Sequence, residues 1–221
     1  MEQAAYLLHS RPYQEHKVLV EFLTQDEGKV AAVAYAGKTQ KSNKKALLQP
    51  FIPLNISFKG KHQLKSLTLI EATSKSLVLN GQALYCGFYI NELLVRLLPE
   101  TVPAPAIYER YSVALNALAS GHSLEPILRQ FELALLDELG LSLDFSQVSQ
   151  CASDFIAFDF EQGFYSVANE AQGYKKSLLL GLGDSHYDNP EVLLTAKRLM
   201  RQLINQLLGN KPLNSRKLFE K

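Results

Sequence analysis

The chain has 221 residues, 47% of them hydrophobic and 20% charged, a composition ordinary for a globular protein and too apolar for a disordered one. No apolar run has the length of a membrane span, no charged and apolar leader opens the chain, and two cysteines cannot build a disulfide framework. A membrane or exported protein is therefore not expected, and Cys86 and Cys151 are expected as reduced thiols in the cytoplasm.

The net charge of +1 conceals a segregation. Residues 1–80 hold 11 Lys and Arg against 6 Asp and Glu, a net +5. Residues 81–190 hold 5 against 14, a net −9, and residues 191–221 hold 7 against 2, a net +5. The two ends can attract a polyanion while the middle repels it. Like-signed ends are also able to meet in the fold as one surface.

Five short strands are predicted first. They are Ala4–Ser10, Lys17–Thr24, Val30–Ala36, Gln49–Phe58 and Gln63–Ala72, with Gly28, Gly37 and Gly60 as punctuation. Pro50 and Pro53 fall at the start of the fourth, where proline is tolerated. Five strands with glycine-bearing turns fit a small barrel of the OB type, which commonly binds oligonucleotides on one face.

From Gly81 the period changes to that of helices. Gln82–Leu98 is apolar nearly all round, which predicts burial, and it stops at Pro99. A second helix is predicted over Ala104–Ser120. A third is capped by Ser123, carries Pro126 in its first turn and ends at Gly140. Short connections predict a bundle over residues 82–140. Residues 149–185 read as irregular, with a hairpin of 155–160 and 163–167. A last helix, Pro190–Leu208, has Asn189 as cap and Gly209 as stop, and a basic tail follows. The expected fold is α+β: an N-terminal OB barrel over residues 1–78, then a helical domain over residues 79–221.

Between the third and fourth strands runs Gly37-Lys-Thr-Gln-Lys-Ser-Asn-Lys-Lys45. Lys38, Lys41, Lys44 and Lys45 lie within eight residues, and no acid occurs between Glu27 and Glu71. Taken alone, such a run is most simply a solvated loop. On a barrel it suits phosphates, because each bound lysine releases a condensed counterion.

Other chemistry is weak. Gly37-Lys38-Thr39 ends like a P-loop, but Ala32 stands where the first glycine belongs. Gly181-Leu-Gly183 is read as a turn. Asp184, Ser185 and His186 are consecutive, so they cannot form a hydrolase triad. The histidines are scattered, and Cys151 has no partner at zinc-finger spacing. No catalytic residue, cofactor or metal site is expected.

Several segments together resemble one family. They are Leu8-His-Ser-Arg-Pro-Tyr13, Leu47-Leu-Gln-Pro-Phe51, Tyr85-Cys-Gly-Phe-Tyr-Ile-Asn-Glu-Leu-Leu94, Leu128-Arg-Gln-Phe-Glu-Leu-Ala-Leu-Leu136 and Gly209-Asn-Lys-Pro-Leu-Asn-Ser-Arg-Lys-Leu-Phe219. In this order they are similar to the bacterial RecO family of DNA repair and recombination proteins, over nearly the full length. The resemblance implies an OB domain, a helical bundle and an irregular region that in many members binds zinc through four cysteines. This chain departs there, since Cys151 is the only cysteine in that region. It also implies a non-enzymatic recombination mediator that is cytoplasmic and nucleoid-associated. Such a protein binds single- and double-stranded DNA and anneals complementary strands. With RecR it helps load RecA onto DNA coated by single-stranded DNA-binding protein, whose acidic C-terminal tail docks on the helical domain.

For DNA the expected contacts are Lys38, Lys41, Lys44 and Lys45, supported by Arg11 and Lys17. Tyr35 and Phe51 flank the loop and are either base-stacking rings or barrel filling. Arg129 is the only Lys or Arg between Tyr111 and Tyr174, beside the stripe Leu128, Phe131 and Leu135. The resemblance makes these four the tail-binding set. The alternative for Arg129 is a pair with Glu125 or Glu132 on its own helix. Lys211, Arg216 and Lys217 are either accessory DNA contacts or a solvated terminus. Two other functions remain open: a protein-interaction adaptor with incidental DNA contact, and an OB-fold RNA binder.

Overall fold

The computed structural model describes residues 2–35, 44–60 and 64–220, as two compact units. The first unit is residues 1–122 with 212–221, and the second is residues 123–211.

In the first unit, β1 (Glu2–Gln14), β2 (Lys17–Thr24), β3 (Gly28–Tyr35), β4 (Leu54–Lys59) and β5 (Lys65–Ala72) close a barrel in the order β1-β2-β3-β5-β4. All pairs are antiparallel except β3 with β5. This five-stranded closed barrel is the OB architecture. Alternation along the strands sets the inside. Val20 and Phe22 of β2, Ala32 and Ala34 of β3, and Leu54 and Ile56 of β4 join Ala5, Leu7, Ile52 and Ile70 in the core. Alanines on β3 leave room for the Phe22 and Phe58 rings, whose centroids lie 6.0 Å apart.

The fourth strand begins later than expected, at Leu54 rather than Gln49. Phe51 takes a positive φ of 65° and Pro53 follows, so the chain turns there instead of extending. A short helix, α1 (Lys44–Leu47), precedes that turn and packs on β5.

Two helices complete this unit: α2 (Gly81–Leu97) and α3 (Pro105–Ala119). They pack on each other, and α2 packs on β1. The first half of β1 pairs with both β2 and β4, and an irregularity follows between Leu7 and His9. Beyond it β1 continues along β2 alone, while β2 stays paired on its other side with β3 as far as Lys17 and Tyr35. At the helix side, Asn91 Nδ2 donates to the Leu8 carbonyl at 3.1 Å and Tyr111 Oη donates to Asn91 Oδ1 at 2.7 Å. Burial pushes the Tyr111 hydroxyl well above the ordinary phenol range, which keeps it a neutral donor.

In the second unit, α4 (Leu124–Glu138), α5 (Ser146–Gln150), α6 (Lys176–Gly183) and α7 (Pro190–Leu207) accompany a three-stranded sheet. That sheet has the order β7 (Gly163–Val167), β6 (Phe155–Asp159), β8 (Tyr174–Lys175). α7 packs on α4 and α6. Asn189 caps α7 through the Glu191 N–H at 2.9 Å, as its position predicts. Ser123 stands at the N-cap of α4 but makes no capping hydrogen bond through its side chain. Gly181 and Gly183 lie in α6, not in a turn. A Cβ on Gly181 would come within 2.9 Å of Val192, and one on Gly183 within 2.7 Å of Phe145, so both glycines serve close packing.

Counted by unit, the charge segregation sharpens. The barrel unit holds 16 basic against 10 acidic residues, a net +6, and the second unit 7 against 12, a net −5.

Candidate nucleic-acid interface

Residues paired across a ladder face the same side of the sheet. On the outside of the barrel this gives three rows. His9, Glu21 and Ala31 form one. Arg11, Leu19, Val33 and Ser66 form the next. Gln14, Lys17 and Tyr35 form the third, at the turn end of the β1–β2 hairpin. Arg11 and Lys17, assigned from sequence, thus share one outer face in adjacent rows, and both are exposed.

Tyr13, Gln14, Lys17, Val33, Tyr35, Leu64 and Lys65 line an open groove of about 410 Å³ on this face. Tyr13 is 50% exposed and Tyr35 60%, so two aromatic rings stand in solvent beside the Lys17 ammonium. The His16 ring meets Tyr35 edge-on, with centroids 6.3 Å apart. Lys65 is the second cation of the groove, but Glu27 takes its ammonium in an ion pair. The Lys65 hydrogen bond is the main cause that holds the Glu27 carboxyl below its ordinary value, and the Gln3 amide adds a 2.7 Å hydrogen bond. The chemistry on offer is a ring to stack on a base and a cation to meet a phosphate.

Phe51 is different. It is 4% exposed and packs against Phe88 with centroids 5.5 Å apart, beneath Gly87. It belongs to the interior and is removed from the stacking candidates. Tyr13 is the groove residue that sequence reasoning missed. Its place two residues beyond Arg11, before a two-residue turn into Lys17, was the available signal.

The lysine run is only partly placed. Lys38 and Lys41 lie outside the described residues. Lys44 and Lys45 open α1, which follows the segment leaving Tyr35 at the rim of the groove.

The expected tail-binding residues lie elsewhere. Leu128, Phe131 and Leu135 are 7%, 2% and 1% exposed, and Arg129 is 5% exposed. Arg129 Nη1 lies 2.9 Å from Glu132 Oε2, an ion pair by distance without hydrogen-bond alignment, and Nη2 lies 3.8 Å from Glu125 Oε2. Lys197 of α7 also reaches Glu125, at 2.6 Å. As placed, these four side chains present little surface to a peptide.

Of the C-terminal cations, Lys217 is exposed and Arg216 half-buried in the barrel unit, while Lys211 falls in the second unit. Among the described residues no group of three His, Cys, Asp or Glu is arranged to hold a metal ion. Where the resemblance implied a zinc module, the Cys151 thiol approaches the Phe164 carbonyl at 3.8 Å. Lys176 Nζ donates to the carbonyls of Ser149 and Cys151 at 3.0 and 2.6 Å. No helix of the described residues is long and apolar enough to cross a membrane.

Comparison with known proteins bears on the whole chain. Residues 1–75 match the family model "Recombination protein O N terminal", and residues 79–217 match "Recombination protein O C terminal". The DNA repair protein RecO of Pseudomonas entomophila is 43% identical over 99% of this chain and 97% of its own. That of Cellvibrio japonicus is 42% identical over 98% and 95%, and that of Pseudoalteromonas atlantica 39% over 97% and 92%. The chain belongs to the RecO family of DNA repair proteins.

Proposed function

We propose that this protein acts without enzymatic chemistry, by holding single- and double-stranded DNA on the outer face of its barrel. It anneals complementary strands there and, with RecR, helps load RecA onto DNA coated by single-stranded DNA-binding protein. The observation that carries this is the groove in which Tyr13 and Tyr35 flank Lys17, beside Arg11 and at the root of the lysine run. Its rings stack bases of any identity, and its cations meet phosphates, so it suits a strand without selecting a sequence. The barrel unit's net charge of +6 supports the same partner.

The test is annealing of complementary oligonucleotides, bare and coated by the single-stranded DNA-binding protein. Acceleration is expected in both; its absence in both sinks the proposal. Changing Lys38, Lys41, Lys44 and Lys45 to alanine should flatten the log–log salt dependence of single-strand binding by about 3 units, at roughly 0.7 per phosphate contact. An unchanged slope removes the lysine run from the site.

The net −5 of the second unit favours a second reading, an adaptor that binds proteins through its acidic part. Reversing the charge of the lysine run would then leave repair in cells intact. Under the first reading, repair fails.

A further inference from the structure

An open groove of about 300 Å³ lies wholly within the second unit, between the chain leaving α4 and the turn that joins β6 to β7. Gly163 closes that turn with a φ of 76°. A Cβ there would lie 2.3 Å from Gln147 Oε1, which accepts from the Phe164 N–H at 3.1 Å, so turn and α5 are locked together. The floor of the groove is aromatic. Phe158 is buried, and the half-buried Phe160 ring meets it edge-on with centroids 5.5 Å apart.

The rim is anionic. Asp144 and Glu161 stand exposed at the groove. Asp144 Oδ1 accepts from the Ser146 N–H at 3.0 Å and from its hydroxyl at 2.5 Å, which holds the carboxylate in place. α4 also ends here, since Gly140 just beyond it lines the groove. Its last turn carries Asp137 and Glu138 and no basic residue. Two carboxylates therefore sit at the negative end of the helix dipole, where a cation is favoured instead. Among the described residues none of these four acids has an ion-pair partner. The neighbouring sequence cannot supply one, because residues 130–174 hold eight Asp and Glu and no Lys or Arg.

Carboxylates around an aromatic floor suit a cation that also brings apolar surface. Among the described residues no group of three acids, His or Cys is arranged for a metal ion, so the fit is to a side chain. Arginine matches best, because its planar guanidinium pairs with carboxylates and stacks on a ring at once. We propose that this groove docks an arginine-bearing segment of a partner protein, with the guanidinium on the Phe160 ring and against the carboxylates of Asp144 and Glu161. The inference rests on the reading of the acidic unit as a protein-binding part, and it names the site and the chemistry of the partner.

The experiment uses the full chain and a short fluorescein-labelled peptide with two arginines among glycine and leucine, followed by anisotropy at low salt. The same peptide with citrulline for arginine is the neutral control. The arginine peptide should bind and the citrulline peptide should not. Asp144→Asn/Glu161→Gln keeps the Asp144 acceptor and should weaken binding by about fivefold, the scale of two exposed ion pairs. Phe160→Leu keeps apolar bulk without a ring face and should weaken it by about threefold. Glu161→Gln alone, at an exposed turn position, should weaken it by about twofold at an unchanged urea midpoint, and guards against a fold defect in the other variants. No binding of the arginine peptide, or equal binding of both peptides, overturns the proposal. Binding that none of the variants weakens overturns this groove and leaves the protein-binding reading standing. That reading fails separately, if charge reversal of the lysine run abolishes repair in cells. Self-association of the unaltered protein in sedimentation, lost in Asp144→Asn/Glu161→Gln, would make the occupant the basic barrel unit of a second copy and overturn the assignment to a partner.

Discussion

The Lys29 ammonium donates to the Val95 carbonyl at 2.7 Å, in the last turn of α2, where the helix has run out of its own N–H donors. A cation at this end also meets the negative end of the helix dipole, a favourable interaction. Lys29 is 6% exposed, and burial lowers its pKa below the ordinary 10.5 against the opposing pull of Glu21 and Glu100. Nearby, Gly28 takes a φ of 69°, and a Cβ there would lie 1.9 Å from the Val102 carbonyl oxygen. Barrel and helices are thus joined by a strand too close for any side chain at 28 and by a buried charge at 29.

Lys29→Met removes the donor and leaves the Val95 carbonyl unpaired, which should destabilise the protein by about 1–3 kcal/mol. The pH dependence has a definite sign. Between the lowered folded value and 10.5 the unfolded chain binds more protons at Lys29 than the folded one, so its contribution to stability rises with pH. The deficit of Lys29→Met relative to the unaltered protein should therefore widen from pH 8 to pH 10 in urea unfolding. A deficit independent of pH would mean that Lys29 does not titrate as a buried group.

Tyr35 and Phe51 border the same loop and should behave in opposite ways. Tyr35→Ala removes a ring that is 60% exposed. It should leave the urea midpoint nearly unchanged and weaken single-strand binding by about 1–3 kcal/mol, the usual contribution of one stacked base. Phe51→Ala empties an interior site and should lower stability by about 3–5 kcal/mol. Paired measurement of midpoint and affinity checks both. Equal loss of affinity at matched stability would return Phe51 to the interface.

These two rings also show what the sequence could and could not reveal. β2 was legible to the residue, because its strand-like run Lys17–Thr24 is closed by the turn-like Gln25-Asp-Glu-Gly28. α2, α3, α4 and α7 were legible within a residue or two from their period and stops. α6 was not, since its two glycines are poor helix formers and only close packing accounts for them. Arg11 and Lys17 could be picked by charge and strand position. Tyr13 required the register of the hairpin, and excluding Phe51 required its φ. The Glu92–Ser215 contact spans 123 residues, and no local pattern encodes such a pairing.

The same contact governs behaviour in acid. Burial alone would raise the Glu92 carboxyl, but hydrogen bonds from Ser215 and Asn214 and the charge of Arg96 outweigh it, and the net shift is downward from 4.5. Its stabilising contribution is complete above about pH 4.5 and is lost as pH falls through the lowered folded value. Glu92→Gln should lower stability by about 2 kcal/mol at pH 7. It should also flatten the decline between pH 5 and pH 3, measured by thermal unfolding. Glu27 is shifted the same way, chiefly by its hydrogen bond with Lys65, so part of the decline should persist. An acid limb as steep as that of the unaltered protein would exclude Glu92 as a contributor.

Arg129 offers the sharpest test of the helical unit. Its guanidinium is buried against Glu132, itself 1% exposed, with Glu125 at the far side. Removing one member of a buried pair strands the other, so Arg129→Ala should lower stability by about 3–5 kcal/mol. Replacing both, as Arg129→Met/Glu132→Leu, leaves no stranded charge at 132 and should bring stability to within about 1 kcal/mol of the unaltered protein. Urea unfolding of the two variants checks this pair of outcomes. The double variant then separates structure from docking. An acidic peptide ending in phenylalanine should bind it as well as the unaltered protein, because the Arg129 charge is already engaged within α4. Loss of that binding in a stable double variant would mean that α4 opens to release Arg129, and that its pairing with Glu132 is the resting state of a docking site.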